Sequence, residues 1–208
     1  MIQRTRVTAT SCNFLHNARA GAEVGVGGTL SLQGCTSRSN SAGYCNVGGV
    51  LEIESSERDG DGAGCHVHAG TLTARNVSVT SCTSFGFLVE KGGAALKGCS
   101  VTNSLDDGML FRSAPGTESS VEDCTLAQNQ DDGICALEGA LVAVRGCRSR
   151  DNTHSGYYVG GHARMTVAHS SSDGDGGFGC CLGSEDAQLT MEEVFANGEP
   201  CSQAWRVM

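Results

Sequence analysis

Apolar and polar residues alternate with a period of two in short runs along the chain, and each run is followed, three residues after its last inward position, by cysteine, serine or valine. The runs align as Val7/Ala9/Cys12, Leu30/Leu32/Cys35, Leu51/Ile53/Ser56, Leu72/Ala74/Val77, Ala94/Leu96/Cys99, Ser119/Val121/Cys124, Val142/Val144/Cys147, Met165/Val167/Ser170 and Leu189/Met191/Val194. Alternation of this kind predicts strands. A second strand follows a glycine in most units, as in Gly86-Phe-Leu-Val89, Gly108-Met-Leu-Phe111, Gly133-Ile-Cys-Ala136 and Gly156-Tyr-Tyr-Val159. Nine units spaced 21 to 25 residues apart are each too short to bury an apolar face alone, so they must stack as a solenoid. Leucine-rich and ankyrin repeats have similar periods but need a helical or longer leucine-bearing segment, which is absent here. The expectation is an all-β, parallel β-helix solenoid of about nine coils, with almost no helix.

Composition sharpens this picture. Thirty glycines against two prolines and 5% aromatic residues suit many turns and small stacked side chains, not a helix bundle. A formal charge of -9 with scattered basic residues argues against nucleic acid as a partner, because phosphate binding needs clustered Lys and Arg. No apolar run approaches the ~18 residues of a membrane span, so no membrane insertion is expected. Met1-Ile-Gln-Arg-Thr-Arg6 lacks the apolar core of a secretion signal. Most of the twelve cysteines recur at the repeat period, and no paired Cys-x-x-Cys zinc spacing is present. Cys12, Cys35, Cys99, Cys124 and Cys147 are therefore expected inside and reduced, which favours an intracellular compartment. Cys45, Cys135 and Cys181 fall at outward strand positions and are better candidates for thiol reactivity than the inward cysteines.

The spacing from the cysteine or apolar position to an asparagine five residues on (Asn17, Asn40, Asn129 and Asn152, with Asp61 and Asp175 as variants), followed by Gly-aromatic-x-Val, resembles the right-handed parallel β-helix repeats of the pectate-lyase-like superfamily. The resemblance covers nearly the whole chain and implies a right-handed coil, inward stacks of cysteine and apolar residues, and an asparagine row at one bend. The whole chain, 1–208, reads as one β-helix domain, a piece of a longer protein or a stack whose ends are capped by flanking sequence or a partner. Residues 195–208, with Trp205, are the candidate C-terminal cap.

The chemistry concentrates at one bend. Asn129-Gln-Asp-Asp132 has Asp106-Asp107 one coil earlier and His154 one coil later, so Asp106, Asp107, Asp131, Asp132 and His154 should stack about 5 Å apart. Carboxylates so placed raise one another's proton affinity, which suits one as general acid and another as base. Asn129-Gln-Asp-Asp132 also resembles the Asn-x-Asp-Asp element of polygalacturonases, which implies a catalytic role for these five residues. The resemblance is partial: Gly133 stands where that family has cysteine, Thr153-His-Ser155 replaces Gly-His-Gly, and no Arg-x-Lys follows, the last lysine being Lys97.

The other motifs read as structure. Arg58-Asp-Gly-Asp-Gly62 and Ser172-Asp-Gly-Asp-Gly176 invite calcium, but lack an EF-hand spacing and are expected to be bends. His66 and His68 flank Val67 and should point outward together; a metal there would want a third ligand such as Glu90 on the next coil, but solvated histidines are the expectation. One outward row (Thr8, Ser31, Glu52, Thr73) is flat, and the charged row beside it (Glu54, Arg75, Lys97, Glu122) interrupts any regular threonine lattice. With no complete active site in view, the leading reading is a non-catalytic module that presents a flat surface to a protein partner or a glycan, with no cofactor and no metal. A polysaccharide-acting enzyme, of polyuronate hydrolase, lyase or epimerase type or a degenerate derivative, is the alternative; a structural subunit of a larger assembly is the second.

Overall fold

The computed structural model describes residues 5–112 and 117–201, and the backbone of 205–206. Among them there is no helix. Each coil has three strands, for example Glu118–Glu122, Thr125–Ala127 and Ile134–Leu137, and every strand pairs in parallel with its counterpart in the next coil. The register is the one the apolar pattern implies: Val7 pairs with Leu30, Leu30 with Leu51, Leu51 with Leu72, and Leu72 with Ala94. Nine rungs, from Arg6–Thr10 to Gln188–Glu192, stack along this first face, which makes about eight full turns. Near the end the parallel pattern breaks, since Glu199–Pro200 turns back antiparallel on Phe195–Ala196. The backbone of Trp205–Arg206 adds in parallel to Cys180–Leu182, while the Trp205 side chain, the expected cap, lies outside the described residues.

Tight corners make the coil. At the corner after each first-face strand one residue adopts a left-handed conformation, among them Ser11, Gly34, Ser55, Asn76, Gly98, Asp123 and Gly146, with φ between 49° and 64°. Polar residues that tolerate this region or glycine fill the row, which is why a polar or glycine residue precedes each cysteine position. A glycine column opens the third strand for a different reason. A Cβ on Gly64 would sit 2.5 Å from the carbonyl oxygen of Gly86 and from Val79 Cγ1, so only glycine lets consecutive coils close up.

Two inward ladders line the core. Cys35, Cys99, Cys124 and Cys147 are buried and free, whereas Cys12, in the first coil, is only partly covered. The thiols do more than fill space. Cys124 Sγ donates to the Glu122 carbonyl at 3.1 Å and accepts the Cys99 amide at 3.4 Å. Ser56 and Ser170 do the same at their rungs, donating to the carbonyls of Glu54 and Ala168 and accepting the amides of Cys35 and Cys147. In the second ladder each residue accepts both the backbone and the side-chain N–H of its neighbour: Asn17 donates to Asn40, Asn40 to Asp61, Asn129 to Asn152, and Asn152 to Asp175. The Asp-Gly-Asp-Gly aspartates Asp61 and Asp175 are thus rungs of this ladder.

Two expectations need correction. Arg58, the first residue of a segment expected to be a bend, lies on the strand Glu57–Asp59 and is 1% exposed, its guanidinium 4.1 Å over the Tyr44 ring, so the middle position of that short strand points into the coil whatever its charge. Cys45, Cys135 and Cys181 do point out of the third-strand sheet, but none is accessible, with relative exposures of 7%, 4% and 2%. Their outer face is itself covered: Cys135 packs with Leu88 and Leu110 under Phe85, Leu137 and Tyr158, and burial pushes all three thiols up. They are poor nucleophiles.

Candidate functional site

The bend before each third-strand glycine stacks two outward columns. Phe85, Asp107, Asp132, Ser155 and Phe178 form one, tied coil to coil by the amides of Gly86, Gly108, Gly133 and Gly156 donating to the carbonyls of Asp107, Asp132, Ser155 and Phe178. Asp106, Asp131 and His154 form the second. All five sequence-derived site residues line one open groove of about 520 Å³, beside Leu110, Arg112, Cys135 and Tyr158. Within it, donor atoms of Asp106, Asp107 and Asp131 lie inside 4.8 Å of one another, as do those of Asp131, Asp132 and His154. His154 Nδ1 is in direct contact with Asp131 Oδ1.

Each column-one carboxyl is also part of the backbone. Asp107 Oδ1 accepts the Asp132 amide at 3.1 Å, and Asp132 Oδ1 accepts the Ser155 amide at 2.6 Å. These bonds do not offset what surrounds the carboxyls. Burial, then the nearby Asp132 and Asp131 charges, pushes Asp107 up to about 8. Burial likewise pushes Asp132 up to about 7, against the pull of the Ser155 amide. Asp107 therefore holds its proton through neutral pH and Asp132 holds one about half the time there, and a protonated carboxyl is a donor. Either set of acidic residues has ligand spacing for a hard cation, but carboxyls that favour protons this strongly bind one only by releasing them.

Sequence reasoning missed part of the groove. It looked for a cation after His154, whereas the groove's cation comes from an earlier coil: Arg112, at the end of the strand Met109–Arg112, lines the wall, and its buried Nε has no hydrogen-bond partner among the described residues. The signal was its place two residues beyond Leu110, on the same outward parity. Phe85, Tyr158 and Phe178 were missed as groove walls because their columns emerge only when coils are stacked. A second hollow, of about 500 Å³, lies among Val7, Phe14, Ala22, Val24 and Leu30 of the first coils and is mostly apolar.

A search of curated proteins gives no match. Among solved structures, a mutant of the periplasmic alginate epimerase AlgG superposes with a TM-score of 0.44 at 12% identity, over 82% of this chain and 60% of that one. The chain thus spans less than two thirds of that structure's length. The family described as the right handed beta helix region matches residues 61–204, which take in every groove residue named above, and the chain belongs to that family.

Proposed function

We propose that the groove binds a glycan chain and acts on it by general acid–base chemistry. The observation that carries this reading is the meeting, in one open groove, of two proton-holding carboxyls, Asp107 and Asp132, with the Asp131–His154 pair. A general acid must hold its proton at working pH and a base must lie within reach of the same reacting group. Asp107 or Asp132 fills the first role and the Asp131–His154 pair the second. Phe85, Tyr158 and Phe178 offer the apolar faces against which sugar rings pack, and Arg112 offers a cation to an acidic sugar. Burying carboxyls beside one another costs stability, and groups with such perturbed proton affinity gather at functional sites.

A non-catalytic glycan-binding module is the second reading, favoured by one observation: Asp107 and Asp132 each cap an amide of the next coil. Incubating wild type, D107N and D132N with polygalacturonate, pectin, alginate and neutral glucans separates the two. Reducing ends, unsaturated products and epimer ratio are followed together with binding. Acid–base action predicts turnover by wild type on at least one polymer, reduced at least ~100-fold in D107N or D132N, whichever removes the acid, with binding retained. Binding without turnover by wild type on every polymer would leave the module in its place.

A further inference from the structure

Outside the groove, one cluster of ligand atoms converges from two coils. His66 and His68 sit two residues apart on the strand Ala63–Arg75, so both rings leave the same face of the sheet. Leu88 pairs with His66 and Val89 with Val67, which carries Glu90 to the rung beside His68. The result is a single carboxylate oxygen, Glu90 Oε2, 3.0 Å from His66 Nε2 and 2.8 Å from His68 Nδ1. The two rings lie 3.6 Å apart between centroids. We propose that His66, His68 and Glu90 form a binding site for a divalent transition-metal ion, with a position left open to solvent.

The geometry is close to what such an ion requires. Zinc bound tetrahedrally at about 2.0–2.1 Å holds neighbouring ligand atoms about 3.3 Å apart. The two His–Glu separations therefore need to open by only a few tenths of an ångström. Glu90 supplies that motion, since its side chain is 38% exposed and sits at the end of a strand, while His66, 21% exposed, is the fixed member. Two imidazoles and one carboxylate suit zinc, cobalt, nickel or copper better than calcium or magnesium, which prefer oxygen ligands throughout. Because the histidines and the carboxylate come from consecutive coils, a bound ion would clip one coil to the next.

The test uses the whole chain, stripped with chelator and titrated with Zn2+ alone, with Co2+ as the spectroscopic probe. One equivalent of Zn2+ should bind, the thermal midpoint should rise with added Zn2+, and Co2+ should give a visible spectrum of low-coordinate geometry. His68→Ala and Glu90→Gln, at exposed or half-exposed positions, should each weaken Zn2+ binding at least about tenfold. The double variant Asp131→Asn/Asp132→Asn, which disables the groove's acidic set, should bind Zn2+ as wild type does. Failure of wild type to bind one equivalent overturns the site, as does unchanged affinity in His68→Ala and Glu90→Gln, or loss of binding confined to the Asp131/Asp132 variant. The groove assays on polysaccharide are independent of this outcome.

Discussion

The same bend carries two stacks of polar residues with opposite consequences. On the inside, Asn40 and Asp61, and Asn152 and Asp175, hand N–H donors from rung to rung, so each carbonyl or carboxylate oxygen meets two donors from its neighbour. On the outside, Asp107 and Asp132 receive one amide each and otherwise lie among Asp106, Asp131 and each other, with His154 and Cys135 beside Asp132. All four aspartates are nearly or fully buried or sit in ladder contact, so burial alone does not separate them. What differs is the sign of the neighbours. Inside, asparagine amides donate to the carboxylate; outside, burial beside other carboxyls makes it costly. Structural and chemical carboxyls occupy the same bend on different coils, and the donor supply tells them apart.

Breaking the inner stack should have the larger effect. Asp61 is fully buried and accepts the Asn40 amide at 2.8 Å and the Asn40 side-chain nitrogen at 3.0 Å. Asp61→Ala leaves the buried Asn40 amide without a partner, at about 1–3 kcal/mol, takes one acceptor from an Asn40 side chain that keeps the Phe14 carbonyl and Ser37, and opens a cavity at a fully buried position, so a loss of about 3 kcal/mol or more is expected. Asp61→Asn keeps the acceptor and should recover most of it. Urea denaturation of both variants is the measurement; a loss under about 1 kcal/mol for Asp61→Ala would mean the ladder contributes little.

The outer stack should respond with the opposite sign. A carboxyl held up at about 8 keeps its proton in the folded chain while the unfolded chain releases it near pH 4, so the unfolded state binds fewer protons over that interval. Stability contributed by Asp107 is therefore greatest below pH 4 and is lost as pH rises towards 8. Asparagine mimics the protonated acid, retains an acceptor for the Asp132 amide and cannot ionise. Asp107→Asn should thus be more stable than wild type at pH 8, by roughly 2–3 kcal/mol once the open groove is allowed for, and nearly equal to it at pH 4. Denaturation midpoints at the two pH values check both the sign and its disappearance. A variant less stable than wild type at pH 8 would show that the groove carboxyls are structural, like those inside. Gain of stability on removing a candidate catalytic group is the expected mark of a site kept for chemistry.

Much of this was legible in the chain. Leu30, Leu51 and Leu72 recur at the coil length, and the step from Cys35 to Asn40 or from Cys147 to Asn152 places both inner ladders, because a solenoid converts sequence period directly into spatial register. The five groove residues were found for the same reason. What stayed hidden depends on contacts between columns. Period-two parity puts Cys135 on the outer face of its strand, but not that Phe85 and Tyr158 cover it. Nor does it show that Arg58, in a run of bend residues, turns inward onto Tyr44, or that Arg112 enters the groove from the coil before. His66, His68 and Glu90 were visible as outward residues; their convergence on one oxygen was not.

The smallest effect sharpens the inner half of the comparison. If the cysteine ladder were packing alone, valine, which fills the same position at Val77 and Val194, should replace Cys124 better than serine does. The hydrogen bonds argue otherwise. Cys124 Sγ donates to the Glu122 carbonyl and accepts the Cys99 amide, and Ser56 and Ser170 make the equivalent pairs at their own rungs. Cys124→Ser keeps both bonds and gives up some volume, for an expected cost of about 0.5 kcal/mol, whereas Cys124→Val adds apolar volume but leaves the buried Cys99 amide unpaired, at about 1–2 kcal/mol. Denaturation of the two variants side by side measures the difference. Valine equal to or better than serine would reduce the ladder to packing; serine better than valine would place the thiols with the asparagines, as side chains kept at the corners for the backbone donors they accept.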